Sequence, residues 1–123
     1  MITERIVPVF QVSNLEAALK YYREVFGFSE DFRFGNYAGV KLGTIDIHLT
    51  EQSQDSRTEY RKPIGSGIAY IFCDEIDSYC AALKKKGANL KYEPTDFPYG
   101  MREFMVVDLC GNHLAFGAEI KTA

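Results

Sequence analysis

The chain has 123 residues, of which 46% are apolar, 14% aromatic and 25% charged. This length and composition are typical of one folded domain and argue against a disordered or low-complexity chain. Fourteen basic residues against seventeen acidic ones give a net charge of -3, which argues against a nucleic-acid partner. No apolar run approaches the ~18 residues of a membrane span, and the N-terminus lacks the pattern of a secretion signal. We therefore expect a cytoplasmic protein without a membrane partner.

The N-terminal part of the chain has a strand pattern from Arg5 to Val12, followed by a helical pattern. Ser13 and Glu16 stand at the spacing of a capping box, so the sequence predicts that Ser13 caps the helix. Gly27 is placed to end the helix in a left-handed conformation. Apolar residues recur in this helix every three or four positions and predict one buried stripe: Leu15, Ala18, Leu19, Tyr22, Val25 and Phe26.

Three β-rich runs follow the helix, with glycine-containing turns between them. The runs are Glu30 to Phe34, Tyr37 to Leu42 and Thr44 to Thr50. The next segment, Glu51 to Gly67, is polar, contains Pro and Gly and has no period, which is typical of a linker or mobile loop.

The second half repeats this order, with a strand from Ile68 to Cys73 and a helix predicted to begin at Asp74 and end before Gly87. Its three later strands are predicted at Asn89 to Glu93, Met101 to Asp108 and Asn112 to Ala118. The sequence thus predicts an α+β fold of two βαβββ modules around a partly open, barrel-like cleft. Module one is expected at about 1–50, the linker at about 51–67 and module two at about 68–123.

Side chains alternate along a strand, so each strand can be divided into a row under the helix and a free row. The residues predicted to pack under helices are Ile45, Ile47, Leu49, Ala69, Ile71, Leu114 and Phe116. His48 and Ala115 then lie in free rows. In the strand that begins at Ile68 both rows are apolar, which predicts burial on both faces.

Aromatic residues at strand ends and in loops add to these free rows: Phe32, Phe34, Tyr37, Phe97 and Tyr99. Each ring could simply close a core or a dimer contact, but as a set they favour a binding groove.

Neither the cysteines nor known catalytic motifs indicate an active site. Cys73, Cys80 and Cys110 are odd in number and lack the spacing of a disulfide framework or a thiolate zinc site, so we expect reduced and mostly buried thiols. The sequence has no nucleophile elbow, phosphate-binding loop or dinucleotide fingerprint. We therefore assign no catalytic residue.

Two runs of the sequence carry a family resemblance: VPVFQVSNLEAALKYYREVFGFSEDFRFGNYAGV and PYGMREFMVVDLCGNHLAFGAE. They include the pair Tyr99-Gly100, Arg102-Glu103-Phe104, and Asp108-Leu109-Cys110-Gly111-Asn112 where the family usually has D-P-x-G-N. The chain resembles the vicinal oxygen chelate superfamily of glyoxalases, bleomycin resistance proteins and extradiol dioxygenases, and is most similar to the bleomycin resistance proteins.

Enzymes of this superfamily hold a divalent metal with His and Glu ligands, and the resemblance places those positions at Val7, His48, Ile68 and Ala115. Only His48 offers a donor atom, whereas a transition metal needs about three protein ligands. We therefore expect no metal, no cofactor and, on balance, no enzymatic activity. His48 is left with two interpretations: it contacts a ligand, or it lies at the cleft rim and hydrogen-bonds to Asp46 or solvent.

The resemblance implies a protein that sequesters an aromatic or cationic antibiotic or metabolite without catalysis. Two alternatives stay open: a metal-dependent lyase or dioxygenase of the glyoxalase type, and a catalytically silent regulatory dimer. The expected partners are a small-molecule ligand and a second copy of the chain. The candidate ligand-binding residues are Asp31, Phe32, Phe34, Tyr37, His48, Tyr70, Phe72, Phe97, Tyr99 and Arg102.

Overall fold

A computed structural model describes residues 1–52 and 63–121. Module one contains β1 (Val9–Val12), α1 (Leu15–Glu24), β2 (Ser29–Phe34), β3 (Tyr37–Leu42) and β4 (Ile45–Glu51). Module two contains β5 (Ile68–Phe72), α2 (Ile76–Lys85), β6 (Asn89–Asp96), β7 (Met101–Val107) and β8 (His113–Glu119). Most of the predicted linker, residues 53–62, lies outside the described residues.

The strands form two open four-stranded sheets with the same topology. Their orders are β1-β4-β3-β2 and β5-β8-β7-β6. Strand β1 pairs with β4, and β5 with β8, in parallel, whereas the other neighbours pair antiparallel. The predicted α+β fold of two βαβββ units is therefore confirmed, and neither sheet closes into a barrel.

Helix α1 follows the predicted apolar stripe, but its first turn differs from the prediction. The Asn14 side chain accepts a hydrogen bond from the Ala17 N–H at 2.9 Å and caps the helix. Ser13 instead donates its N–H to the Cys110 sulfur at 3.3 Å. The capping-box prediction was wrong because Asn14 is itself a good cap and Ser13 contacts Cys110 in the second module. Gly27 has the predicted left-handed conformation, with a φ of 82°, but the helix already ends at Glu24 with Val25 as its C-cap.

Helix α2 also begins later than predicted. Its N-cap is Glu75, which has a left-handed φ of 51° and makes no side-chain cap hydrogen bond. Its buried residues Ile76, Cys80 and Leu83 form one apolar face. Packing of this apolar face therefore positions the helix without help from a side-chain cap.

One apolar core joins both modules. It includes the inward rows of both sheets and the buried faces of both helices: Phe10, Leu15, Leu19, Phe26, Ile47, Leu49, Ile71, Leu83, Phe104, Leu114 and Phe116. The Tyr79 hydroxyl in α2 also donates a hydrogen bond to the Phe26 carbonyl at 2.9 Å. Because the helices share this core, the outer rows of both sheets face away from it.

A buried polar hub lies where the modules meet, in the turn between β7 and β8. Asp108 accepts hydrogen bonds from the Tyr22 hydroxyl at 2.8 Å and from the Asn112 side-chain amide at 3.0 Å. Asn112 also donates to the Gln11 carbonyl at 3.2 Å and accepts from the Gly67 N–H at 2.8 Å. The hub thus connects α1 and β1 of module one to the start of β5 and to the β7–β8 turn of module two.

The outer row of β5 corrects one expectation. Ile68 and Phe72 are 68% and 71% exposed, and Tyr70 between them is 41% exposed. The strand is therefore buried on one face only, by Ala69 and Ile71 on the side of α2. An apolar row looks the same in sequence whether the chain itself or another molecule covers it.

Within residues 1–52 and 63–121, the structure contains no helix with the length and apolar character needed to cross a bilayer.

The hub predicts a large loss of stability on truncation of Asn112, which is fully buried. Asn112→Ala should lower the free energy of unfolding by about 3 kcal/mol, because the Gly67 N–H and the Gln11 carbonyl lose their partner in the interior. Urea denaturation measures this change. Asn36→Ala, at an exposed turn position, is the matched control and should change stability by less than about 0.5 kcal/mol. Equal effects of the two substitutions would contradict the role of the hub.

Candidate functional site

The outer face of the second sheet brings a carboxylate and several tyrosines together. In the strand register Tyr70 lies opposite Ala115, and Glu103 lies opposite Gly117. Tyr92 lies opposite Met105, two residues after Glu103. Residues opposite each other in a sheet project to the same side, so these side chains share the face that α2 does not cover.

Glu103 is the centre of this cluster. It is only 4% exposed although it carries a carboxylate. Its Oε1 accepts hydrogen bonds from the hydroxyls of Tyr70, at 2.9 Å, and Tyr99, and its Oε2 accepts one from the Tyr92 hydroxyl at 2.5 Å. We call Glu103, Tyr70, Tyr92 and Tyr99 the tyrosine cluster.

Glycine at position 117 allows this arrangement. A Cβ atom built on Gly117 would lie 2.1 Å from the Tyr70 hydroxyl oxygen, which is closer than two heavy atoms can approach. Tyr70 therefore lies across the strand directly over Gly117 and reaches Glu103 on the far side. Any larger residue at 117 would displace the Tyr70 ring.

The hairpin turn between β6 and β7 positions the third tyrosine. The Gly100 N–H donates to the Phe97 carbonyl at 3.0 Å, and Gly100 adopts a φ of 84°. This turn stacks the rings of Phe97 and Tyr99 with centroids 5.3 Å apart. Phe97 also meets Tyr92 edge-on at 5.7 Å, so the rings of the cluster support one another.

The hydrogen bonds decide the charge of Glu103. Burial alone raises the pKa of a carboxyl group, but the hydrogen bonds from Tyr92, Tyr99 and Tyr70 outweigh it, and the pKa of Glu103 is lowered. The ionised form therefore stabilises the folded state above about pH 4.3, and this contribution is lost as the pH falls through the lowered pKa.

The pKa values of the three tyrosines are raised, whereas that of Glu103 is lowered. The hydrogen bond to Glu103 raises the pKa of Tyr99 to about 12, and burial together with the same carboxylate raises the pKa of Tyr70 to about 12. Burial and the hydrogen bond to Glu103 also raise the pKa of Tyr92. At neutral pH the cluster therefore holds one negative charge and three neutral phenols.

The first sheet carries a smaller aromatic group on its outer face, which we call the histidine cluster. Its members are Phe32, Tyr37 and His48. The Tyr37 hydroxyl lies 2.8 Å from His48 Nδ1, and Phe32 contacts both rings at centroid distances of 6.2 and 5.1 Å. Gly39 lies beneath Phe32, since a Cβ there would be 2.2 Å from the ring. Burial raises the pKa of Tyr37.

Asp46 forms ion pairs beside the histidine cluster. It pairs with Lys41 at 2.6 Å and with Arg5 at 2.8 Å. The hydrogen bond from Lys41 holds the pKa of Asp46 below its usual value. His48 consequently pairs with Tyr37 rather than with Asp46.

The structure separates the residues predicted for ligand binding into four groups. Tyr70 and Tyr99 belong to the tyrosine cluster, with Phe97 and Phe72 in ring contact with it, and Phe32, Tyr37 and His48 form the histidine cluster. Asp31 and Phe34 are exposed on β2. Arg102 is held on the side of α2 by Asp77, at 2.7 Å, and by Asp96, at 2.9 Å. The structure does not bring Arg102 to either cluster.

Two members of the tyrosine cluster are absent from the sequence-based candidates. These two residues are Glu103, which the sequence shows only as part of the family resemblance, and Tyr92. A signal was nevertheless present: strand alternation puts Glu103 on the side opposite its neighbours Arg102 and Phe104, of which Phe104 is apolar and therefore an inner residue.

The family's metal-ligand positions do not fit a metal ion. Val7, Ile68 and Ala115 are hydrocarbon, and His48 already uses Nδ1 in its contact with Tyr37. In the part of the chain that the structure describes, no three His, Cys, Asp or Glu residues are grouped in a way that could hold a metal. The donor set thus provides one imidazole where about three ligands are needed.

A cavity of about 430 Å³ lies elsewhere, between the β3–β4 turn and the connection from β5 to α2. Ile45, Ile71, Tyr79 and Phe116 contribute to its lining. We place the candidate site on the outer faces instead, because charged, hydrogen-bonding and aromatic groups converge there.

Comparison with known proteins gives a family and a fold. Residues 5–116 match the family model of the Glyoxalase/Bleomycin resistance protein/Dioxygenase superfamily. No curated protein sequence matches the chain.

Several solved structures are similar over nearly the whole chain. A bleomycin-binding protein from Streptomyces verticillus, solved with copper(II)-bleomycin, is 25% identical with a TM-score of 0.77, covering 98% of this chain and 100% of its own. TnmS3, an antibiotic-binding protein from Streptomyces sp. CB03234, is 24% identical with a TM-score of 0.75, covering 97% and 98%. A lactoylglutathione lyase from Agrobacterium tumefaciens is 20% identical with a TM-score of 0.75, covering 96% and 95%.

The tyrosine cluster predicts a specific change on neutralisation of Glu103. Glu103→Gln should lower the pKa of Tyr99 from about 12 towards the ordinary value of about 10, because the charged acceptor is lost. NMR of ring-labelled tyrosine during an alkaline titration measures this. Tyr37, whose pKa is raised by burial on the other sheet, is the internal control and should not change. An unchanged Tyr99 would show that the hydrogen bond does not form.

Proposed function

We propose, given that the chain belongs to the glyoxalase/bleomycin resistance/dioxygenase superfamily, that it is a binding protein that sequesters an aromatic or cationic small molecule without changing it. One observation carries this proposal: the outer face of the second sheet presents a ring of aromatic side chains around an ionised, buried carboxylate. Such a surface recognises planar or positively charged compounds through stacking and electrostatic attraction.

The donor chemistry favours binding over metal-dependent turnover. A glyoxalase-type reaction polarises its substrate with a metal ion, and three of the four positions that would hold it carry hydrocarbon side chains in this chain. Of the similar structures, the bleomycin-binding protein and TnmS3 are named for binding antibiotics, which supports a ligand of that general kind.

We also propose a homodimer in the cytoplasm. Ile68, Tyr70 and Phe72 form an exposed apolar row on β5, and a second copy placed across this face would enclose the ligand between two chains. Three unpaired cysteines agree with a reducing compartment.

The first experiment tests binding directly. Differential scanning fluorimetry and isothermal titration calorimetry with planar aromatic and cationic antibiotics should identify a ligand, and a compound at 100 times its Kd should add about 2.7 kcal/mol of apparent stability. Tyr37→Ala and Phe32→Ala should each weaken binding by about 1 to 3 kcal/mol if both faces contact the ligand. Leu109→Ala removes an exposed apolar side chain outside both clusters and is the matched control.

Recovery of the ligand completes this test. The compound should be recovered unchanged after prolonged incubation, and EDTA should not alter its binding. EDTA-sensitive conversion of the compound, with one transition metal ion per chain, would contradict the proposed function.

The second experiment measures the oligomeric state. Sedimentation should give a particle of twice the 13.9 kDa chain mass at micromolar concentration. Phe72→Glu should shift it to the monomer, because a charge would replace an apolar contact, whereas Leu109→Glu should not. A monomeric wild-type protein would refute the dimer and leave single-chain binding to be judged by calorimetry.

A further inference from the structure

The charge of Glu103 lacks a cationic partner among the described residues. The ion pairs formed within 1–52 and 63–121 involve Asp46, Glu16, Glu93, Asp77 and Asp96, but not Glu103. Arg102, its neighbour in sequence, is committed to Asp77 and Asp96 on the opposite side of the sheet. Three neutral hydroxyls stabilise the carboxylate but leave its net charge in place.

The hydroxyls keep this buried carboxylate ionised, and a nearby cation would be attracted by the charge that they leave uncompensated. The carboxylate is nevertheless difficult to reach directly. It has about four acceptor positions, three of which are used by tyrosine hydroxyls, and it is almost fully covered. A ligand would therefore feel its charge mainly through the rings around it rather than through a hydrogen bond.

Those rings are accessible. Tyr99 is 62% exposed and Tyr70 is 41% exposed, while both keep their hydroxyls on Glu103. Phe97 stacks on Tyr99, and Phe72 packs against Tyr70 at a centroid distance of 5.2 Å. The hydroxyl end of each tyrosine thus faces the buried anion, and its ring is available to a molecule outside.

We propose that the tyrosine cluster, with Phe72 and Phe97, is a subsite for a quaternary ammonium group, held by the tyrosine rings above the buried charge of Glu103. This inference rests on the proposed function and names the ligand chemistry that one face would select. A quaternary ammonium has no N–H to donate and is held by aromatic faces, which is the contact that the cluster offers.

Other cations fit the cluster less well. A primary ammonium is strongly hydrated and needs three acceptors to replace its water, but the carboxylate oxygens are largely occupied. A guanidinium seeks a bidentate carboxylate, and both oxygens of Glu103 are covered by tyrosines. The tyrosine cluster should therefore bind a quaternary ammonium more tightly than a primary ammonium or a guanidinium.

The experiment compares one pair of probes on the full-length protein. The probes are choline and its neutral isostere, in which a quaternary carbon replaces the nitrogen. Their affinities are measured by NMR titration of the Met105 methyl signal, since Met105 lies two residues from Glu103 on the same face. Choline should bind about tenfold more tightly than the isostere, and also more tightly than ethanolamine.

Two variants connect this preference to the cluster. The Glu103→Gln variant should bind choline and the isostere with about equal affinity. Tyr99→Phe keeps the ring and should keep most of the preference, whereas Tyr99→Leu removes the ring and should lose it. Tyr37→Phe, in the histidine cluster, is the matched control and should leave the preference unchanged. Urea denaturation of each variant checks that it folds.

The outcomes separate this inference from the proposed function. Equal affinity for choline and the isostere, or a preference that survives in folded Glu103→Gln, would overturn the ammonium subsite while leaving aromatic ligand binding intact. Absence of choline binding together with aromatic ligands that still bind would also overturn it. Absence of binding by any probe or antibiotic would overturn the proposed function itself.

Discussion

The hydrogen bonds of Asp108 and Asn112 hold the two modules in one arrangement, and the positions of both outer faces depend on them. Tyr22 brings α1 to this hub, the Gln11 carbonyl brings β1, and the Gly67 N–H brings the start of module two. Because both helices are packed into one core around the hub, each sheet has only one free side. The residues on those free sides are then set by the alternation of the strands.

The two free sides have the same architecture but different chemistry. A glycine lets an aromatic ring lie flat across a strand on each: Phe32 over Gly39, and Tyr70 over Gly117. In module one the ring contacts His48, whose Nδ1 lies against the Tyr37 hydroxyl. In module two it reaches a carboxylate whose charge is kept by three hydroxyls. This difference gives module two the outer face with the stronger electrostatic attraction for a cation.

Much of this fold could be predicted from local pattern. The stripe from Leu15 to Phe26, the turn at Gly27 and the inner rows of β4 and β8 follow from periodicity, and the structure confirms them. The cap at Asn14 was missed because Ser13 has a tertiary partner, Cys110. The exposure of Phe72 was missed because apolarity does not say which molecule covers a face. Glu103 was missed because its three partners come from β5, β6 and a turn, and only the folded sheet brings them together.

Glu103 is buried on the free face of the second sheet and yet ionised. NMR titration of its labelled side-chain carboxyl tests this directly, with the signal assigned by its loss in Glu103→Gln. We predict a midpoint below the ordinary glutamate value of about 4.3, because three tyrosine hydroxyls stabilise the anion more than burial disfavours it. A midpoint above that value would mean that burial prevails and that the face carries no charge near neutral pH, which would contradict the account.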